Sequence, residues 1–216
     1  MTTTTLDTGL VRSRINWARL LGPLGGFGLI AGMIAIFMSP AADDTGETPA
    51  EVVAYAQSHE AWTVAIALFA LGSIALGGAF VAGLYGRLQG IATATESALV
   101  LIGGTLFTIC FALCWLMWTA PLADTSNDRA TALAEAQAYL SYDDVGWFVL
   151  GAAGVAAGVF IVAASVAAMR GGLPRWLGGL GVLAGIASLG TIAFLGMFAW
   201  LAWIAVASIV MLVTRS

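Results

Sequence analysis

Long runs of apolar residues without charges constrain this sequence more than any other feature. Each run of about 20 residues has the length of a helix that crosses about 30 Å of hydrocarbon. Of the 216 residues, 60% are hydrophobic and only 9% are charged, whereas soluble domains have about 25% charged residues. A single soluble core cannot cover this much apolar surface, so we expect a membrane protein.

The apolar runs predict an all-α fold with six transmembrane helices in one membrane domain, residues 1–216. The last stretch, residues 176–213, would form a helix of about 55 Å, which is too long for one crossing. We therefore divide it at a tight turn between Gly190 and Gly196. The predicted helices cover residues 18–39, 62–86, 97–120, 146–169, 175–192 and 195–214.

The first run has a second interpretation, a cleaved signal peptide. Residues 38–42 (MSPAA) include small residues where a cleavage site could lie. The run is longer than the apolar core of a signal peptide, which has about 7–15 residues. A membrane helix is therefore the favoured interpretation.

Two polar outer loops, residues 40–61 and 121–145, each predict a short amphipathic helix on the membrane surface. Thr48 and Glu51 have the spacing of a capping box, with Pro49 at the first helical position. The second helix is expected over residues 128–142. The residues expected on one face are Val52, Tyr55, Ala56 and His59 in the first helix, and Leu133, Ala136 and Leu140 in the second.

The placement of arginine predicts that both termini lie in the cytoplasm. With six crossings, only Arg129 would lie outside, in agreement with the positive-inside rule. Most acidic residues fall in the two outer loops, so we expect an anionic outer face. The arginines on the inner side are Arg12, Arg14, Arg19, Arg87, Arg170, Arg175 and Arg215.

Small residues four positions apart predict where helices approach closely. Such pairs let backbones touch in lipid, where no hydrophobic effect holds helices together. Packing within the chain is one interpretation, and docking against another membrane subunit is the other. The candidate interface residues are Gly154, Gly158, Gly181 and Gly185.

Eight tryptophans suggest an aromatic belt at the two membrane interfaces. Two W-x-x-W pairs extend beyond the belt, because Trp115 and Trp203 should lie a turn or more inside the outer leaflet. We expect these pairs to form a candidate site for an apolar ligand such as a lipid, quinone or carotenoid. The four residues of this outer-leaflet slot are Trp115, Trp118, Trp200 and Trp203.

The residues needed for most catalysis or ion coupling are missing from the apolar runs. None has an ionisable side chain at its middle, which argues against a proton pump, a charge-coupled transporter and an intramembrane hydrolase. His59 is the one histidine, and Cys110 and Cys114 stand four apart with no histidine or carboxylate nearby. We therefore predict no catalytic residues, no metal site, no cofactor and no enzymatic activity. Nothing in the charge balance suggests nucleic-acid binding.

Residues 173–185 (LPRWLGGLGVLAG), 18–26 (ARLLGPLGG) and 54–59 (AYAQSH) resemble patterns in one group of membrane proteins. These are uncharacterised six-helix proteins of actinobacteria and related bacteria, grouped under domains of unknown function. The resemblance covers most of the chain and implies the six-helix layout. It implies no activity and no catalytic residues.

These observations predict a multi-pass protein of the bacterial cytoplasmic membrane with the lipid bilayer as its surroundings. The first functional hypothesis is a non-catalytic accessory or scaffold subunit that packs against other membrane proteins or itself. The alternative is a binding protein or carrier for an apolar small molecule, through the tryptophan slot. An enzyme is the third and least favoured class.

Overall fold

The computed structural model describes residues 17–38, 46–119, 128–193 and 195–214, and these residues are helical apart from short connections. Helix α1 covers Trp17–Phe37, α2 covers Pro49–Leu88, and α3 covers Ala94–Thr119. Helix α4 covers Arg129–Arg170, α5 covers Arg175–Ala187, and α6 covers Leu195–Val213. A 3₁₀ helix, Ser188–Ala193, extends α5. No strand occurs in these ranges.

Five of the helices, namely α1, α2, α3, α4 and α6, are long and apolar enough to cross a membrane. The chain is thus an all-helical protein with the composition of a membrane protein. Helix α5 has only 13 residues and is not among the five. The expected sixth crossing therefore stays a prediction.

The prediction of a separate helix is wrong for the second segment, which is the first part of the longer helix α4, whereas a kink divides the first segment from the apolar part of α2. Helix α2 runs on through a kink at His59, where φ is −123° and ψ is 19°. Helix α4 continues without interruption over 42 residues. The junction in α4 contains no proline, so the backbone hydrogen bonds of that helix can continue into the apolar segment.

The predicted start of the first of these helices is confirmed. The Thr48 hydroxyl accepts a hydrogen bond from the Glu51 backbone N–H at 3.4 Å, and Glu51 Oε2 accepts one from the Thr48 N–H at 3.0 Å. This is the reciprocal pattern of a capping box. At the start of α4, Asp128 accepts hydrogen bonds from the backbone N–H groups of Ala130 and Thr131.

The outer parts of α2 and α4 pack on each other through a small apolar cluster of their own. We call residues 49–59 and 129–143 the outer helix pair. The side chain of Val52 is fully buried there, and Ala136 is 2% exposed. Three of the four residues predicted for the inner face of the first helix belong to this cluster. Its buried members are Val52, Tyr55, Ala56, Ala136 and Tyr139.

The opposite end of the bundle, which we call the arginine end, is held by two arginines. Arg87 at the end of α2 donates hydrogen bonds to the carbonyl oxygens of Met211 and Thr214, near the end of α6. Arg170 at the end of α4 forms an ion pair with Glu96 in the first turn of α3. These contacts bring the ends of α2, α4 and α6 together with the start of α3.

Glycines allow the helices to approach within backbone contact. A β-carbon on Gly22 of α1 would lie 2.8 Å from the Gly83 Cα of α2. Between α4 and α5, a β-carbon on Gly158 would lie 2.7 Å from the Gly185 carbonyl oxygen. Close backbone approach increases the dispersion contacts that hold helices together in lipid.

Candidate functional site

An aromatic cluster fills the centre of the bundle, where α2, α3, α4 and α6 meet. The Trp200 ring lies with its centroid 5.0 Å from that of Phe107 and 5.7 Å from that of Phe111, in edge-to-face geometry. The Trp203 ring lies 6.2 Å from Phe160 and 6.4 Å from Phe80. These are favourable separations for aromatic pairs. The cluster therefore forms the core of the bundle.

This packing differs from the slot that was expected for Trp115, Trp118, Trp200 and Trp203. Trp200 and Trp203 are 1% and 4% exposed, so they occupy the interior and do not line an open space. Trp115 and Trp118 are half-buried and in contact with each other, 5.4 Å between centroids. Residues three apart share one helix face, and on α6 that face points into the bundle.

Four buried polar atoms in the described part of the chain have no hydrogen-bond partner. They are the indole Nε1 atoms of Trp115, Trp200 and Trp203 and the hydroxyl oxygen of Ser165. The Ser165 and Trp203 atoms both pack against Gly181, because a β-carbon there would overlap both. An indole N–H can only donate a hydrogen bond. No pattern in the sequence distinguishes Ser165 from the other hydroxyl residues of the bundle.

The four glycines predicted to form a helix-packing interface are all buried inside the chain. Gly158 and Gly185 contact each other, and Gly154 packs against Thr191 and the Ser188 carbonyl oxygen of the 3₁₀ helix. Gly181 lies against Ser165 and Trp203. These residues join α4 to α5 and are not available to another protein.

A different row of small residues faces outward on α2. We call Gly72, Ala75, Gly78, Ala82 and Gly86 the α2 stripe, and each of them is exposed. A β-carbon on any of its three glycines would have no heavy atom within 4 Å, apart from those of its own helix and chain neighbours. The spacing of three or four residues places all five on one face of the helix. The sequence contains this spacing, but it does not reveal which small-residue face meets another helix of the same chain.

The hydroxyl and thiol groups of the bundle show no catalytic arrangement in the described ranges. Ser208 and Thr108 donate to carbonyl oxygens of their own helices at 2.8 and 2.9 Å, the usual role of a hydroxyl in a membrane helix. The Cys114 thiol does the same with the Phe111 carbonyl oxygen at 3.1 Å. No group of three or more histidine, cysteine, aspartate or glutamate side chains that could hold a metal lies in the ranges the structure covers.

The acidic side chains that cap the outer helix pair are exposed to solvent and hydrogen-bonded. Backbone N–H groups of Thr131 and Ala130, followed by the Thr131 hydroxyl, hold the pKa of Asp128 below its usual range. The other part of this surface includes His59, whose ring stacks on Tyr55 with centroids 4.6 Å apart and whose Nδ1 lies 3.1 Å from the Tyr55 carbonyl oxygen.

Comparison with protein-family models, with curated proteins and with solved structures found no match to this chain. The resemblance to uncharacterised six-helix membrane proteins therefore stays a prediction.

Proposed function

We propose that this chain is a non-catalytic accessory subunit of the bacterial cytoplasmic membrane that binds a partner membrane helix along the α2 stripe. The observation that carries the proposal is the exposure of five small residues in a row on an apolar helix. Other small residues of the bundle, such as Gly22, Gly83, Gly158 and Gly185, are covered by neighbouring helices. The α2 stripe is the same kind of surface without a neighbour from this chain.

The dimensions of the α2 stripe suit one helix. From Gly72 to Gly86 the helix rises about 21 Å, at about 1.5 Å per residue. Lipid tails gain few contacts on such a flat surface, whereas a second helix can approach until the backbones nearly touch. The partner surface should itself contain glycine, alanine or serine at the same spacing.

We also propose that the chain crosses the membrane six times, with both termini in the cytoplasm. Helix α5 and the 3₁₀ helix together extend about 31 Å, at about 1.5 and 2.0 Å per residue, which is close to the hydrocarbon thickness. They begin at Arg175, next to the arginine end, and pass Gly158 and then Gly154 of α4. Helix α6 then returns to the arginine end, where Arg87 binds its last turn.

The orientation can be tested by cysteine labelling in intact cells, in a Cys110→Ala, Cys114→Ala background. Ser141→Cys on the outer helix pair should react with a membrane-impermeant maleimide. Gln89→Cys, exposed at the arginine end, should react only after the cells are opened. The reverse pattern would contradict the orientation. Labelling of both sites in intact cells would place them on the same side of the membrane, which contradicts an odd number of crossings between them.

The partner-binding role can be tested with Gly78→Leu and a matched control, Gly179→Leu. Both glycines are exposed and have open space around them, but Gly179 lies on α5, away from the α2 stripe. Overpacking of an interface costs about 1–3 kcal/mol, which is about a 5- to 150-fold loss of affinity. After gentle detergent extraction, Gly78→Leu should lose a stoichiometric membrane-protein partner that the wild type and Gly179→Leu retain. Equal partner content in all three would refute the role, whereas loss of a second copy of this chain would identify the partner as self.

The unpaired indole groups favour a second candidate, a binding protein for an apolar carbonyl compound such as a quinone. The Trp115 side chain is half-buried at the edge of the aromatic cluster, but its Nε1 atom is fully buried and has no hydrogen-bond partner. Solvent extraction of the purified protein, with analysis by absorbance and mass spectrometry, tests this candidate. About one quinone or carotenoid per chain, lost in Trp115→Phe, would favour it over the subunit role.

A further inference from the structure

An apolar groove lies on the side of the bundle, on its exposed apolar surface, between α3, α4 and the junction of α5 with the 3₁₀ helix. Its volume is about 510 Å³, which is in the range of about 300–1,000 Å³ for sites that hold one small ligand. Valines of α4 form its floor. The α4 residues that line it are Val155, Gly158, Val159, Val162, Ala163 and Val166.

The groove has the length of one membrane leaflet. From Val155 to Val166, α4 rises about 16 Å at about 1.5 Å per residue, and half of the hydrocarbon core is about 15 Å. Ile186 and Leu189 form the wall at the deep end, and Leu99 and Glu96 lie at the other. A volume of about 510 Å³ over a length of about 16 Å corresponds to a mean cross-section of about 32 Å², which suits a single extended hydrocarbon chain better than a helix of about 10 Å diameter.

Charge is confined to one end of the groove. Glu96 lines that end, and its Oε2 accepts hydrogen bonds from Arg170 and from the Thr93 backbone N–H. The Arg170 side chain is 46% exposed, so it can bind a second anion beside Glu96. Arg175 is also exposed, five residues further along. At this end, the apolar groove therefore lies next to exposed guanidinium groups.

We propose that the groove binds one acyl chain of an anionic phospholipid from the leaflet at the arginine end, with the lipid phosphate at Arg170. Guanidinium groups bind phosphate oxygens in paired geometry, and arginines at the membrane surface attract anionic lipids. The phosphate of such a lipid lies at the edge of the hydrocarbon, at the level of the arginine, while its chain descends along Val166 and Val159. This inference concerns a different face from the α2 stripe and does not depend on the subunit role.

The acyl-chain part is tested with Val159→Phe, which fills the groove. Val159 is 40% exposed, so a larger side chain is tolerated without repacking of the core. Ile102→Phe is the matched control, because Ile102 is 60% exposed on α3 and does not line the groove. Val155→Phe repeats the test at the deep end. Each protein is reconstituted in vesicles of equal parts phosphatidylglycerol and phosphatidylethanolamine, extracted in mild detergent, and analysed by native mass spectrometry.

The wild type and Ile102→Phe should retain one phospholipid per chain, and both groove variants should lose it at least tenfold. Equal retention in the groove variants and the control would overturn the proposal. Absence of a retained lipid in the wild type, or retention of an isoprenoid lipid from the native membrane in its place, would also overturn it. Melting curves identify any variant that fails to fold, and the remaining groove variant then decides the result.

The headgroup part is tested with Arg170→Gln and its control, Glu96→Gln. Both substitutions break the same ion pair, but only the first removes the positive charge. Arg170→Gln should lower the preference for phosphatidylglycerol over phosphatidylethanolamine about fivefold, as expected for one arginine near the surface. Glu96→Gln should retain or raise that preference. An equal loss in both variants would show that the ion pair supports the helix ends and that Arg170 does not bind the phosphate.

Discussion

Gly158→Ala should destabilise the bundle, although alanine is the better helix former. A β-carbon on Gly158 would lie 2.7 Å from the carbonyl oxygen of Gly185. The obstacle is backbone on α5, so it cannot move aside as a side chain would. Helices α4 and α5 would have to separate by several tenths of an ångström, and the contacts along their shared face would weaken.

The expected change in the free energy of unfolding is the difference between the cost of overpacking and the gain in helix formation. Alanine in a helix gains about 0.5–1 kcal/mol over glycine, and overpacking costs about 1–3 kcal/mol. The net loss in the free energy of unfolding is then about 1–2 kcal/mol. For a chain of this size, the melting temperature should fall by about 2–8 °C.

Gly179→Ala is the matched control, because Gly179 lies on α5 with no neighbouring heavy atom within 4 Å of a β-carbon. It receives only the helix-forming gain, so its melting temperature should stay unchanged or rise slightly. Both variants are compared with the wild type by tryptophan fluorescence during heating in the same detergent. An equal shift in both variants would refute the assignment of Gly158 to an internal backbone contact.

Three further predictions concern the ends of the helices. Thr48→Ala removes a helix cap worth about 1 kcal/mol, so hydrogen exchange between Val52 and Gln57 should speed up while the spanning part of α2 stays protected. The hydrogen bonds that lower the Asp128 pKa stabilise the start of α4 above the unfolded pKa, and that contribution is lost as the pH falls through the folded pKa, below about pH 4. The protection of these amides, relative to their intrinsic exchange rate at each pH, should therefore fall in acid in the wild type but not in Asp128→Asn. Arg87→Gln removes the hydrogen bonds to the Met211 and Thr214 carbonyl oxygens, so exchange at the end of α6 should increase, and unchanged protection would contradict this role for Arg87.

The helices themselves could be predicted because their signals are local. A capping box at Thr48 and Glu51 is a pattern of four residues, and the structure contains it. The division of the last apolar stretch was expected between Gly190 and Gly196, and α6 begins at Leu195. Where the predicted boundaries differ most, at the starts of α2 and α4, the cause is also local. Helix α4 runs through Gly146 without interruption, and α2 has only a kink at His59, so the change from polar to apolar composition does not end either helix.

The faces of the helices could not be predicted, because they depend on which neighbours each helix has. Gly158 and Gly78 both lie in runs of small residues, yet the first contacts α5 and the second is exposed. Trp203 looked like part of an outer slot, but Phe80 and Phe160 come from other helices to enclose it. Such contacts join residues more than 25 positions apart, and one sequence contains no sign of them.

The uninterrupted course of α4 has a mechanical consequence. At about 1.5 Å per residue, the helix is a rod of about 63 Å that joins the outer helix pair to Arg170. Helix α2 departs from helical geometry at His59, whereas a bend in α4 would cost backbone hydrogen bonds. If α4 moves as one rod, a tilt of about 5° shifts its two ends relative to each other by about 5 Å. A displacement of the outer helix pair would then be transmitted along α4 to Arg170 at the arginine end.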